Sequence, residues 1–239
     1  MASNPPGACC TQSTIHEGEP SGSFVDILGH STYQVGKENG NERILVIITD
    51  IHGYKFKNTL LVADQFCKAG YHVLIPDILN EDPYEANKAT LQDWIKNHTA
   101  DITTPIIDSF VSKVKDEFKP KTFVGVGYCF GAKYLVQLIG KNPLFDAGAI
   151  AHPSFVTIED IKAITKPILI SAAETDPIFP VELRRQTEDA LIEGKNRYQI
   201  DLFSHCSHGF AIKGDISIPE VKYAKEKALN DQVFWFAQY

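Results

Sequence analysis

Gly127-Tyr128-Cys129-Phe130-Gly131 is the stretch of this chain whose residue types and spacing most directly suggest chemistry. It follows an apolar run ending in Phe123-Val124-Gly125-Val126 and opens a helix-like stretch, Ala132-Lys133-Tyr134-Leu135-Val136. A strand that turns this sharply into a helix holds its central residue in a strained backbone conformation, and small residues on either side relieve the crowding. Serine is the usual central residue of such a turn. Here it is cysteine, expected to be lifted into solvent with the N–H groups of the helix start aimed at whatever binds the sulfur, which favours both a thiolate and a developing oxyanion.

A thiol attacks a carbonyl well only as thiolate, so the chemistry needs an imidazole to take the proton and a carboxylate to orient that imidazole. Asp176 lies in Ser171-Ala172-Ala173-Glu174-Thr175-Asp176-Pro177, past the strand-like 167 to 170, and His208 lies in Ser207-His208-Gly209-Phe210, past the strand-like 198 to 203. Both positions sit beyond C-terminal strand ends, where open parallel sheets place their ligands. Glu174 rivals Asp176 but sits closer to its strand, and an Asp-Pro turn suits a residue projecting from a loop. His205 rivals His208 but lacks an adjacent glycine, and is expected near the rim. Glycines at a strand-to-helix turn are compatible with mere close packing; the order Cys129, Asp176, His208 points to a nucleophile, its acid and its base.

These residues resemble those of the dienelactone hydrolases (carboxymethylenebutenolidases), a family with the α/β-hydrolase fold, and the likeness to its small fungal members runs the length of the chain. It takes in Val46-Ile47-Ile48-Thr49-Asp50-Ile51-His52-Gly53, a first strand with its loop, and Gly70-Tyr71-His72-Val73-Leu74-Ile75-Pro76-Asp77, a strand and exit turn. The resemblance implies Cys129 as nucleophile, His208 as base, Asp176 as orienting acid, and an oxyanion hole made by the backbone N–H groups of Phe130 and Ile51. That pair agrees with the general arrangement in which one donor follows the nucleophile and the other comes from a loop after an early strand.

Two features depart from the bacterial pattern of that family. Asp50 stands where the bacterial enzymes carry a glutamate that accepts the resting cysteine's proton, so it is the candidate for tuning the thiol, one methylene shorter. The bacterial enzymes also hold the substrate carboxylate with two arginines, whereas Arg43, Arg184, Arg185 and Arg197 fall in other places. Lys88, Lys96 and His98 before the elbow, and Ile212 and Lys213 after His208, are what the chain offers instead. A lysine attracts an anion without giving arginine's bidentate fork.

With 239 residues, 44% hydrophobic and 22% charged, the chain suffices for one α/β domain over 1–239, residues 1–22 forming a polar extension. A net charge of -7 argues against a nucleic-acid surface or a polybasic membrane patch, since either needs clustered cations. No apolar run nears the roughly 20 residues that span a bilayer. Met1 to Gly22 has neither the apolar region of a signal peptide nor the Arg-rich helix of a transit peptide. A cytoplasmic enzyme, monomer or homodimer, acting on a small ester or lactone is therefore expected.

Five cysteines without a secreted-domain pattern read as reduced thiols. Cys9-Cys10, followed only by His16, lacks a metal-ligand spacing and is expected to be a surface or packed thiol pair; no cofactor or metal is indicated elsewhere. Cys67 is expected in the core, and Cys206 packed near the pocket rim. His52 and His152, just after strand-like runs, are candidates to line the pocket.

Strand-like runs fall near 44 to 48, 72 to 76, 122 to 126, 147 to 151, 167 to 171 and 198 to 203, with helix-like runs near 57 to 69, 102 to 118, 130 to 140, 181 to 193 and 219 to 237. The alternation implies a doubly wound, mainly parallel sheet with helices on both faces. Residues 24 to 35 could add an edge strand, and 36 to 42 read as a turn. Ile102, Ile106, Phe110, Val114 and Phe118 suggest a core stripe, and Phe234 and Trp235 suggest packing, in a helix opened by Pro219. Residues 80 to 101 are the longest insertion and a candidate cover for the site. There Tyr84, Trp94 and His98 could shape substrate recognition, with Trp94 alternatively an anchor to the core.

The chemistry expected is cleavage of an activated ester or enol lactone, dienelactone-like, through a thioester at Cys129. Two other readings remain: a protein that binds or senses small electrophiles with little turnover, and a redox-responsive thiol protein whose resolving cysteine would be Cys206.

Overall fold

The Ile- and Val-rich run at 43–48 lies inside the sheet, and its side chains alternate between two cores. The computed structural model describes residues 1–239. Eight strands, β1 (Ser23–Ile27), β2 (His30–Val35), β3 (Arg43–Ile48), β4 (His72–Pro76), β5 (Thr122–Tyr128), β6 (Ala147–Ala151), β7 (Ile168–Thr175) and β8 (Tyr198–Ser207), form one sheet in the order β1-β2-β4-β3-β5-β6-β7-β8. Strands β3 to β8 pair in parallel, while β1 with β2 and β2 with β4 are antiparallel. The helices are α1 (Ala8–Thr11), α2 (Lys57–Lys68), α3 (Leu91–Lys96), α4 (Ala100–Phe118), α5 (Gly131–Leu138), α6 (Ile158–Lys162), α7 (Val181–Glu193), α8 (Phe210–Lys213) and α9 (Pro219–Phe236).

Ile44, Val46 and Ile48 of β3 pack with Phe110 and Val111 of α4, Leu135 of α5 and Leu191 of α7. Leu45 and Ile47 point the other way, to Phe66 of α2 and Trp235 and Phe236 of α9. Period-two alternation on a strand buried on both faces thus produces the two helical layers of an α/β-hydrolase fold.

Three expectations from the sequence need correction. Residues 24 to 35 form a hairpin, not one strand: Leu28 and Gly29, both with positive φ (56° and 85°), make the two-residue turn that joins β1 to β2. In α4, Phe110 and Val114 are buried but Ile102 is 42% exposed, and the inward face runs through Thr103, Ile107, Phe110, Val111 and Val114. A stripe stepped strictly by four drifts around a helix of 3.6 residues per turn, so its end leaves the core. Phe234 is exposed rather than packed, with Trp235 beside it buried. Residues 1 to 22, the polar extension, dock on the rest of the domain. Ala2, Ser3, Cys10 and His16 are buried; the Ala2 and Ser3 N–H groups donate to the Val156 carbonyl, and His16 Nε2 lies 2.8 Å from the Gly214 carbonyl oxygen.

The 80 to 101 insertion holds α3, capped by Thr90, whose hydroxyl accepts from the Asp93 N–H. Trp94 of α3 donates its indole N–H to the Asp82 carbonyl, stacks on His98 at 3.8 Å between ring centroids, and meets Phe130 edge-on at 5.7 Å. Trp94 therefore anchors the insertion against the residue that follows Cys129.

Candidate active site

Strand β5 ends at Tyr128 and α5 begins at Gly131, leaving two residues for the reversal. Cys129 takes φ 49°, a left-handed conformation that a non-glycine residue adopts at a cost. A Cβ on Gly127 would come within 2.8 Å of Ala132 Cα, and one on Gly131 within 2.1 Å of the Ile48 carbonyl oxygen. The spacing of glycines around the cysteine is thus a packing requirement of the turn. The sulfur is not lifted into solvent as expected: Cys129 is 0% exposed.

Asp176 follows β7, and His208 follows β8 ahead of Gly209, whose φ of 91° opens α8. His208 Nε2 lies 3.2 Å from Cys129 Sγ, and His208 Nδ1 lies 3.0 and 2.9 Å from the two Asp176 carboxylate oxygens. Asp176 Oδ1 also accepts from the Ile178 and Phe179 N–H groups at 2.8 and 3.0 Å, which fixes the carboxylate toward the ring. The rivals sit apart, Glu174 accepting from the His205 N–H at 2.8 Å.

Burial alone would lower the basicity of His208, but its hydrogen bond to the Asp176 carboxylate, with the Cys10 sulfur close by, outweighs this and pushes its pKa up to about 10. Because that value is raised above the ordinary 6.5, the protonated ring stabilises the fold fully below pH 6.5, and the contribution is lost as pH climbs through about 10. Nitrogen-15 NMR should accordingly find His208 still an imidazolium at pH 8, and titrating lower in Asp176→Asn; a wild-type midpoint near 6.5 would refute the ion-pair picture.

The match to known proteins is decisive at the level of family. The model of the dienelactone hydrolase family matches residues 31–239. The chain belongs to the dienelactone hydrolase family. It is an ester or lactone hydrolase. It is 35% identical to the hydrolase pyvD of Aspergillus violaceofuscus, over 100% of this chain and 99% of that one. It is 37% identical to the hydrolase tropI of Talaromyces stipitatus, over 100% and 98%. Among solved structures it resembles a dienelactone hydrolase-like promiscuous phosphotriesterase from metagenomic libraries, with a TM-score of 0.72 at 15% identity over 87% of this chain and 92% of that one.

Around the Cys129 sulfur, the other candidates divide. The Ile51 and Phe130 backbone N–H groups have no acceptor within the protein and remain free donors. Asp50 makes no hydrogen bond to Cys129: its Oδ1 accepts from the His52 N–H at 2.9 Å, and its buried Oδ2 has no partner. Lys213 is 4% exposed, and its ammonium donates to the Cys10 and Cys9 carbonyls, so it clamps α1. Arg43 lies over the Tyr71 ring, and Arg197 over Trp235 and Tyr239, so neither serves the site. His52 stacks on Phe56. His152 is fully buried with neither ring nitrogen partnered, 5.1 Å from the His208 ring, and burial holds its pKa well below the usual range.

Two neighbours of Cys129 carry no local sequence signal. Ser154 Oγ is 3.7 Å from the Cys129 sulfur. Cys10 Sγ is 3.6 Å from it, brought there by α1, which crosses the site. Cys206 is not nearby; its sulfur lies 3.9 Å from the Glu220 carbonyl oxygen. A cavity of about 410 Å³, bordered by Cys9, Thr14, Ser207, His208 and Lys213, opens beside His208.

No helix is long and apolar enough to cross a membrane.

Proposed function

We propose that this hydrolase cleaves activated esters or enol lactones through a thioester on Cys129. The observation that carries the reading is the chain of contacts from Cys129 Sγ through the His208 ring to Asp176, with the ring nitrogen 3.2 Å from sulfur. With the proton on the His208 ring, the Cys129 sulfur attacks the substrate carbonyl as thiolate. The oxyanion is held by the free N–H groups of Ile51 and Phe130 at the start of α5, where the helix dipole adds to the field. His208 then returns its proton to the departing oxygen. The thioester is cleared by water that the same ring deprotonates, with Asp176 holding the tautomer throughout.

Sulfur leaves the tetrahedral intermediate more readily than an ordinary alkoxide or amine, so collapse back to substrate dominates unless the leaving group is good. That restricts the enzyme to enol, phenol or strained lactone substrates. The only lysine or arginine lining the cavity, Lys213, is bound to backbone carbonyls, which argues for substrates that need no arginine-type clamp on a carboxylate.

The test is turnover of p-nitrophenyl acetate and of a dienelactone by purified protein, with acid-quenched mass spectrometry in the first turnovers. An acyl adduct on the Cys129 peptide that decays as product accumulates is the expected result. A stable adduct without turnover would favour the electrophile-binding reading, and turnover with no adduct would remove the thioester from the mechanism.

A further inference from the structure

The proposed chemistry uses Cys129 and His208 and leaves Cys10 without a role. Cys10 Sγ lies 3.6 Å from Cys129 Sγ, Cys129 Sγ lies 3.2 Å from His208 Nε2, and all three atoms fall within 4.8 Å of one another among buried residues. A tetrahedral zinc ion, with bonds of about 2.3 Å to sulfur and about 2.0 to 2.1 Å to imidazole nitrogen, separates its ligand atoms by roughly 3.5 to 3.8 Å. The sulfur pair already stands at that separation, the Cys129–His208 edge needs to open by only a few tenths of an ångström, and the Cys10–His208 edge lies within 4.8 Å. A disulfide would instead require the sulfurs to close to about 2.0 Å.

The surroundings also suit a metal. His208 Nδ1 is bound by the Asp176 carboxylate, which is the outer-shell contact that orients a ligating imidazole and raises its donor strength. The backbone of Cys10 is held in place by Lys213. Two thiolates and an imidazole select zinc and other thiophilic ions over magnesium or calcium. The cavity lined by Cys9 and His208 reaches one of the three ligands, His208, and the residue before another, Cys10.

We propose that Cys10, Cys129 and His208 form a binding site for zinc or a similarly thiophilic divalent cation, and that filling it switches the hydrolase off. Binding releases two protons, the one on the Cys10 thiol and the one that Cys129 and His208 hold between them, and forms two metal–sulfur bonds and one metal–nitrogen bond. The sulfur electron pair and the ring nitrogen needed for acyl transfer are then both engaged. The inhibitory consequence rests on the cysteine-hydrolase reading; the site itself does not.

The experiment is anaerobic titration of the reduced, chelator-treated protein with cobalt(II), followed by zinc. Wild type is expected to take up one cobalt per chain with a thiolate-to-cobalt charge-transfer band, which zinc then displaces. Cys10→Ser should bind on the order of a hundredfold more weakly, at least the loss that removing an outer partner causes. Cys9→Ala, which spares the cluster, should bind as wild type does. Circular dichroism checks that the variants are folded, and Cys10→Ala serves if Cys10→Ser is not. Zinc should inhibit p-nitrophenyl acetate turnover at the midpoint of cobalt displacement, and inhibit Cys10→Ser only at correspondingly higher concentration. Absence of the charge-transfer band in wild type, or equal affinity in a folded Cys10 variant, overturns the site. Cobalt binding by a protein whose turnover does not depend on Cys129 leaves the site standing and removes only its inhibitory role.

Discussion

Cys129→Ala should lower kcat for an activated ester by about 10⁴- to 10⁶-fold, and adding His208→Ala to it should cost little more, because nucleophile and base act as one unit. The ring that sits 3.2 Å from the sulfur has nothing to deprotonate once the sulfur is gone. His208→Ala alone should fall nearly as far, and the free Ile51 and Phe130 donors account for the residual rate. Steady-state kinetics on the two single variants and the double variant, all shown folded by circular dichroism, decide the matter. Losses that multiply would mean that the two residues act independently. A Cys129→Ala variant within tenfold of wild type would place the nucleophile elsewhere.

Gly131→Ala should be among the most damaging single methyl groups that can be added to this chain. Its Cβ would lie 2.1 Å from the Ile48 carbonyl oxygen and 2.7 Å from that of Thr49. Ile48 is the last residue of β3, buried and paired with β5, so the neighbour that must yield is the backbone of an inner strand. A cost of about 4 kcal/mol is expected, and at roughly 2 to 4 °C per kcal/mol for a chain of this size the midpoint of thermal unfolding should drop by about 8 to 16 °C. Differential scanning calorimetry measures it directly. A drop of under about 2 °C would show that the elbow can spread at little cost, and the argument for glycine there would fail.

The parts of the site legible in the sequence were those coded locally. Cys129 announces itself because the turn that holds it demands small residues two positions away on each side, and Asp176 and His208 because each follows a strand whose apolar run marks its end. Cys10 had no such marker. Its contact with Cys129 spans 119 residues, and nothing in Ala8-Cys9-Cys10-Thr11 specifies where α1 docks. The expected surface or packed thiol pair was right about Cys10 being packed and silent about what it packs against. The outward position of Ile102 and Phe234 was missed for a different reason. Apolar side chains recur often enough in helices that spacing by fours suggests a face, while the neighbouring layer decides which residues reach it.

The docking of residues 2 to 16 also orders events in time. Residues 2 to 10 leave the ribosome long before Val156, which accepts the Ala2 and Ser3 N–H groups, and before Lys213, which holds the Cys10 carbonyl. Contacts separated by up to about two hundred positions form late, because a long loop must close before they repay its entropy. The clamp that holds α1 beside Cys129 can therefore form only once Lys213 of α8 has been made. The enclosure of the reactive atom thus depends on contacts between the first residues of the chain and elements made much later.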